Sequence, residues 1–367
     1  MSYETTNYLP KGVGKRDAAE FAKLLGYKRA GSYAHLGMPE VVSMIYFEEK
    51  DYKSWETIEL SIGISDDRGV VYIHTRTRVS RSHYDFEMQN RTVREFRRRF
   101  GGTAVKDEGY DPGPPIPPAA SGCYLAMQRL DWNLSRVNHY LQLNVVLPES
   151  NPMSPMEKIW PQFRQLNAEI FISNVLLTYL VSAMEDYFKS TYVAILAYAE
   201  RKPTILKGIR LSGEQLTQIS AGTLTVEQAV AEILPFQRLA AVGRHFADID
   251  QKLDVLAPLM RPYRRRKVNL LDRLEDLVTR RHALIHGMHI DIDIDRETLE
   301  GFIHDLTVGI SRVYEQITNH YGWPFGLPMS SNFSFSRRQR ARPEEGAPCH
   351  TGRGTNGEEV PGTDPCS

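Results

Sequence analysis

The chain has 367 residues, 41% of them hydrophobic and 25% charged, with 45 basic side chains balanced by 45 acidic ones. That length exceeds what one hydrophobic core usually serves, so two domains are expected. A formal net charge of zero excludes a global field drawing the protein onto nucleic acid, so any such binding must come from local patches.

Cys123, Cys349 and Cys366 are too few and too scattered for a disulfide framework, so a reducing, cytoplasmic compartment is expected. The first residues carry no basic segment followed by an apolar one, so no signal peptide is expected. The most apolar long stretch, 171–184, is ended by Glu185-Asp186 and falls short of the roughly 20 residues a bilayer span needs. It reads as a buried core helix, and no membrane partner is expected.

The expected fold class is α+β: a mixed α/β domain over 1–147, an all-helical domain over 155–322, and a disordered tail over 329–367. In the first zone, 41–47, 55–64 and 70–79 are rich in β-branched and aromatic residues. Asp66-Asp67-Arg68-Gly69 supplies a turn that predicts a hairpin between the last two. Spacing then becomes helical over 92–100, with Val93, Phe96 and Phe100 on one face and Gly101-Gly102 as the stop. A proline-rich loop at 111–118 precedes a further expected strand at 123–130.

Ser154-Pro155-Met156-Glu157 reads as a helix start, and from there to about residue 321 the pattern is helical. Ser212 to Gln215 and Thr225 to Gln228 have capping-box spacing. Asp295 is placed to cap a final helix with Leu299, Phe302, Ile303, Leu306 and Ile310 inward. The tail is rich in Gly, Pro, Ser and Arg and cannot bury a core.

The segment from Thr279 to Gly287 carries the chemistry. It ends a helix expected to begin near Asn269, with Leu270, Leu274, Leu277, Leu284 and Ile285 toward the core. Gly287 is expected just beyond the helix, where a left-handed turn is cheapest for glycine. His286 then sits at the carboxyl end, where the helix dipole favours an imidazolium, and His282 lies one turn below on the same face. Arg281 is offset from His286 by roughly 140° on an ideal helix.

Arg281, His282 and His286 match, position by position, the motif of an arginine, a polar residue, three further residues and a histidine. Here the chain resembles the HEPN superfamily over about residues 155–322. Arg280 adds the doubled arginine of several branches, and His282 stands where Asn is commoner. The stretch 180–188, with Glu185 and Asp186, resembles the early helix whose acidic residues face the motif. The resemblance implies a metal-independent endoribonuclease with no cofactor. The ribose 2′-hydroxyl attacks the adjacent phosphate, histidine moves protons, and arginine holds phosphate oxygens in a planar fork. It implies two motifs facing one cleft in a homodimer, RNA as substrate, and a toxin or defence role with an antitoxin or other regulatory partner.

Other readings stay open at this point. The same helical domain serves as a non-catalytic interaction module in some members of the superfamily. His282 and His286 at i and i+4, with His289 or Asp291, have a metal-ligand spacing, but Ala283 stands where zinc proteases need Glu. Residues 291–302 begin like a calcium loop and fail it at Arg296 and Phe302. Arg264, Arg265, Arg266 and Lys267, just ahead of the motif helix, are candidate RNA contacts. Between His74 and Arg99 eight arginines face three acidic residues, a second candidate patch, with Tyr72, Tyr84 and Phe86 available for stacking or for the core.

Overall fold

The computed structural model describes residues 2–30, 41–106, 115–142, 167–263 and 267–324. The helix start expected at 154–157, the tail from 329 with Cys349 and Cys366, and Arg264, Arg265 and Arg266 lie outside them.

Six strands form one antiparallel sheet: β1 (Ser2–Tyr8), β2 (Lys28–Arg29), β3 (Val42–Tyr46), β4 (Ile58–Ile64), β5 (Val71–Arg78) and β6 (Thr103–Lys106). Their order across the sheet is β2-β3-β4-β5-β1-β6. Helix α1 (Lys15–Leu24) follows β1, and α2 (His83–Phe100) joins β5 to β6. Strand β5 therefore lies between β1 and β4, and β1 lies between β5 and β6, so that β5, α2 and β6 form a split β-α-β unit around β1. The expected hairpin is β4–β5: Ser65 N donates to Val70 O at 2.9 Å, and Gly69 takes φ +60°.

Alternation decides the two faces. Tyr3, Thr5 and Asn7 of β1 and Ile73, Thr75 and Thr77 of β5 point inward, where Ala18, Ala22, Met88 and Phe96 of the helices cover them. Part of that seam is polar. The buried Gln89 amide donates to Tyr3 O and Thr75 O and accepts from the Thr77 hydroxyl. Helix α2 starts nine residues earlier than its apolar spacing suggested, because Ser82 and Asp85 form a capping box.

The strand expected at 123–130 is instead part of α3 (Pro118–Gln142). Cys123, Met127, Leu130, Leu134, Val137 and Leu141 are buried at spacings of three and four, a period too long to show in an eight-residue window. Helix α3 belongs to the helical core, packed lengthwise against α4 (Ala168–Ala197). Helix α4 continues through Glu185-Asp186, where the sequence suggested an end. By length and composition alone it would pass for a membrane span. In the fold it is the central helix, with Leu177, Leu180, Val181, Met184, Tyr187 and Phe188 fully buried.

Around it stand α5 (Lys202–Lys207), α6 (Gly213–Ser220), α7 (Val226–Ile233), α8 (Leu239–Ile249), α9 (Ala257–Met260), α10 (Leu270–Gly287) and α11 (Arg296–Tyr321). The capping boxes at Ser212 and Thr225 form, and Asp295 accepts from Thr298 N at 2.8 Å. All five apolar positions expected inward on α11 are buried.

The two hydrophobic clusters meet through the segment between β3 and β4. Trp55 stacks on Tyr124 of α3 with ring centroids 4.2 Å apart, and Tyr52 packs on the helical core. Gly122 makes room for this: an added Cβ would lie 2.9 Å from the Tyr52 ring and 2.5 Å from Ala194 Cβ. By contacts, residues 1–330 form one compact unit.

Candidate functional site

Helix α10 begins as the sequence reads. Asn269 caps it by accepting from Asp272 N at 2.8 Å, and Leu270, Leu274 and Leu277 are buried. Its first cations are structural. Arg273 Nε donates to the fully buried Asp305 at 3.1 Å, and the Arg273 guanidinium lies 4.6 Å from the Phe302 ring centre. Arg280 is held by Asp276 at 3.1 Å and Asp291 at 2.6 Å. Burial works against the Arg280 charge, but the two carboxylates hold its proton more firmly than usual. Asp291 is pinned to α4, because its N–H donates to Asn174 Oδ1 and its carbonyl accepts from Asn174 Nδ2.

The last two turns stand free. His282 and His286 are both exposed, with ring centroids 4.3 Å apart. Arg281, on another side of the helix, is half-buried and donates from Nη1 to Gln237 Oε1 at 3.3 Å. Glu185 of α4 lies behind it. Burial raises the Glu185 pKa, and the Arg281 charge and Gln237 pull the other way. Arg281 Nε and Glu185 Oε1 are both shut from solvent without a hydrogen-bond partner. The cluster thus has two parts: a solvent-facing imidazole pair, and a guanidinium set against a carboxyl group that resists ionisation.

Several expected placements are corrected. Leu284 is half-buried and Ile285 is 40% exposed, because α10 outruns the helices that cover its first turns. Gly287 stays helical, and the left-handed residue is Met288, with φ 50° and 84% exposure. Where the chain must turn toward Asn174 decides that position, not where glycine occurs. Asp186 does not face the motif: roughly 100° round α4 from Glu185, it pairs with Arg129 of α3 at 3.3 Å.

Lys267 is exposed just ahead of α10. Asp291, spent on Arg280 and Asn174, is not gathered with the two histidines. No group of three or more His, Cys, Asp or Glu able to hold a metal occurs among the described residues.

The arginine-rich stretch is not one surface. His74, Arg76 and Arg78 lie on the sheet face opposite α2, whereas Arg94, Arg97, Arg98 and Arg99 line the exposed side of α2. Arg76 sits between Glu4 at 3.3 Å and Glu59 at 4.0 Å. Tyr84 shares a hydrogen bond with Tyr46, and Phe86 packs on Tyr3. The Tyr72 ring lies against Gly63, where an added Cβ would come within 2.6 Å of it.

No family model matches the chain, and neither a curated protein nor a solved structure matches it. Gln237 and Asn174, which frame the site, and Arg129, which draws Asp186 away from it, had no sequence signal: each is a lone polar residue far along the chain from its partner.

Proposed function

We propose that the protein is a metal-independent endoribonuclease in which His282 and His286 move protons and Arg281 steadies the phosphate. The observation that carries this reading is the exposed imidazole pair at the free end of α10, whose adjoining flank carries a guanidinium with one described hydrogen-bond partner, the uncharged Gln237. Imidazole exchanges protons near neutral pH, and arginine stays charged throughout. Attack by the ribose 2′-hydroxyl on the adjacent phosphorus forms a cyclic phosphate and expels the 5′-oxygen. One histidine takes the hydroxyl proton, and a second returns a proton to the leaving oxygen. A two-fold homodimer would supply both from facing motifs, and the exposed Ile285 and Met288 beside the motif support such a contact. The resemblance to HEPN ribonucleases supports a cytoplasmic toxin or defence effector controlled by an antitoxin or other regulatory partner.

A non-catalytic HEPN interaction module is the second reading. It is favoured by the position of Arg281, half-buried against Gln237 and Glu185 as a structural arginine would be. An RNA cleavage assay with and without EDTA separates the readings. Cleavage that survives chelation and leaves a cyclic phosphate end supports the nuclease. Loss on chelation points to a metal hydrolase, and absence of cleavage to the interaction module.

A further inference from the structure

A cleft of about 1340 Å³ opens between the segment that links β3 to β4, the outer side of α3, the end of α4 and the turn before α7. It is larger than the roughly 300–1,000 Å³ that a single small ligand usually occupies. One wall is a stripe of α3: Arg129, Trp132 and Arg136, at spacings of three and four. Trp132 is 58% exposed, although a tryptophan left in solvent on a helix gains nothing for the fold. The two guanidiniums flanking it start about 10.5 Å apart along the helix axis. Arg136 donates only to Asn133 of its own helix among the described contacts. The opposite wall carries Asp51 and Tyr52, successive non-glycine residues at φ 57° and 54°. Such backbone persists only where its surroundings enforce it, and it gathers at binding sites.

The cleft also contains four carboxylates among its described lining residues. Asp51 accepts from Tyr198 Oη at 3.2 Å, Glu48 accepts from Lys50 N at 3.0 Å, and Glu227 is paired with Lys202. The neutral donors leave the Asp51 and Glu48 charges in place; Lys53 at 3.9 Å offsets Asp51, and Glu48 and Glu49 stand against Lys50 and Arg136.

A smaller recess of about 300 Å³ continues from the cleft along Arg129, Asp186, Lys189 and Ser190. It reaches the flank of α4 centred roughly 100° round from the one where Glu185 meets Arg281. On the helical wheel the exposed Ser182 lies between those two flanks.

The geometry points to this cleft as the binding site for a single-stranded RNA, with a base stacked on Trp132 and phosphates on Arg136, Lys50 and Arg129. An alternating ring and cation stripe suits a single strand, whose bases are free to stack and whose phosphates recur along it. Arg129 gives up part of its charge to Asp186, so Arg136 carries more of the phosphate contact. The assignment rests on the ribonuclease reading for its biological sense, but binding and cleavage are measured separately.

The probe is a fluorescent single-stranded RNA of mixed sequence, 2′-O-methylated throughout so that no cleavage intervenes, read by anisotropy on the full-length protein. Trp132→Ala should weaken binding on the order of tenfold, the usual loss when one stacking platform is removed. Trp132→Phe should keep most of it. Arg136→Ala should weaken binding several-fold and flatten its salt dependence by about one ion. Thermal melting of each variant checks the fold, which substitutions at these exposed positions should spare. Wild-type binding that is absent, or unchanged in both Ala variants, overturns the assignment. A Phe variant as weak as the Ala variant overturns stacking. A His286→Ala protein that still cuts RNA would sink the nuclease reading and leave the binding result standing.

Discussion

The two halves of helix α10 make opposite use of the same residue types. Over its first three turns every apolar side chain that turns inward finds a partner, and Arg273 and Arg280 are matched by Asp305, Asp276 and Asp291. Over its last two turns the cation Arg281 has a neutral hydrogen-bond partner, both histidines face solvent, and Ile285 and Met288 are left uncovered. A charge matched by an acid at hydrogen-bond distance is part of the scaffold. A charge without such a partner remains available to a substrate. The same contrast falls on adjacent residues of α4, where Asp186 is paired with Arg129 and Glu185 is left with an unpartnered oxygen.

That contrast can be broken by substitution. The largest effect is expected at the free end: His286→Ala should reduce RNA cleavage by 10²–10⁴-fold with an unchanged melting temperature, and a normal cleavage rate would end the catalytic reading. Next, Leu274→Ala in the anchored half should cost about 2–5 kcal/mol of stability, measured by denaturant unfolding. A loss under about 1 kcal/mol there would mean that the first turns are not core.

Smaller again, Arg280→Ala should cost on the order of 1 kcal/mol, since the pair with Asp291 is partly screened by solvent. Met288→Gly should gain up to about 1 kcal/mol by relieving the left-handed backbone. A loss on that substitution would show that Met288 is held in place by contacts that its exposure conceals.

The last test concerns Glu185. Its pKa is raised above the ordinary 4.5, first by burial, so its ionised form works against the fold. Stability is fully present at low pH and falls as pH rises through the raised value. The melting temperature of Glu185→Gln should therefore gain on the wild type as pH climbs from 4 to 7. A constant difference would mean that Arg281 already compensates the ionised carboxylate.

Much of the local structure was legible. The turn at Asp66–Gly69, the helix start near Asn269, the cap at Asp295, and the capping boxes at Ser212 and Thr225 are each written in a few neighbouring residues, and each forms. Helix α3 was misread because eight apolar residues fit a strand as well as a helix until the period is followed further. Within the site, helical geometry alone placed His282 under His286. Nothing local could show that Arg281 would turn to Gln237, or that Asp186 would turn away.

By itself, the sequence determined the caps, turns and periods, and with them where most of the elements lie, because these depend on residues within a turn or two of each other. The tertiary structure decided which charges were matched and which left over. A helix carries its arginines and histidines wherever it goes, but whether an acid waits beside each depends on elements packed there from tens of residues away. Chemistry is available only where that matching stops.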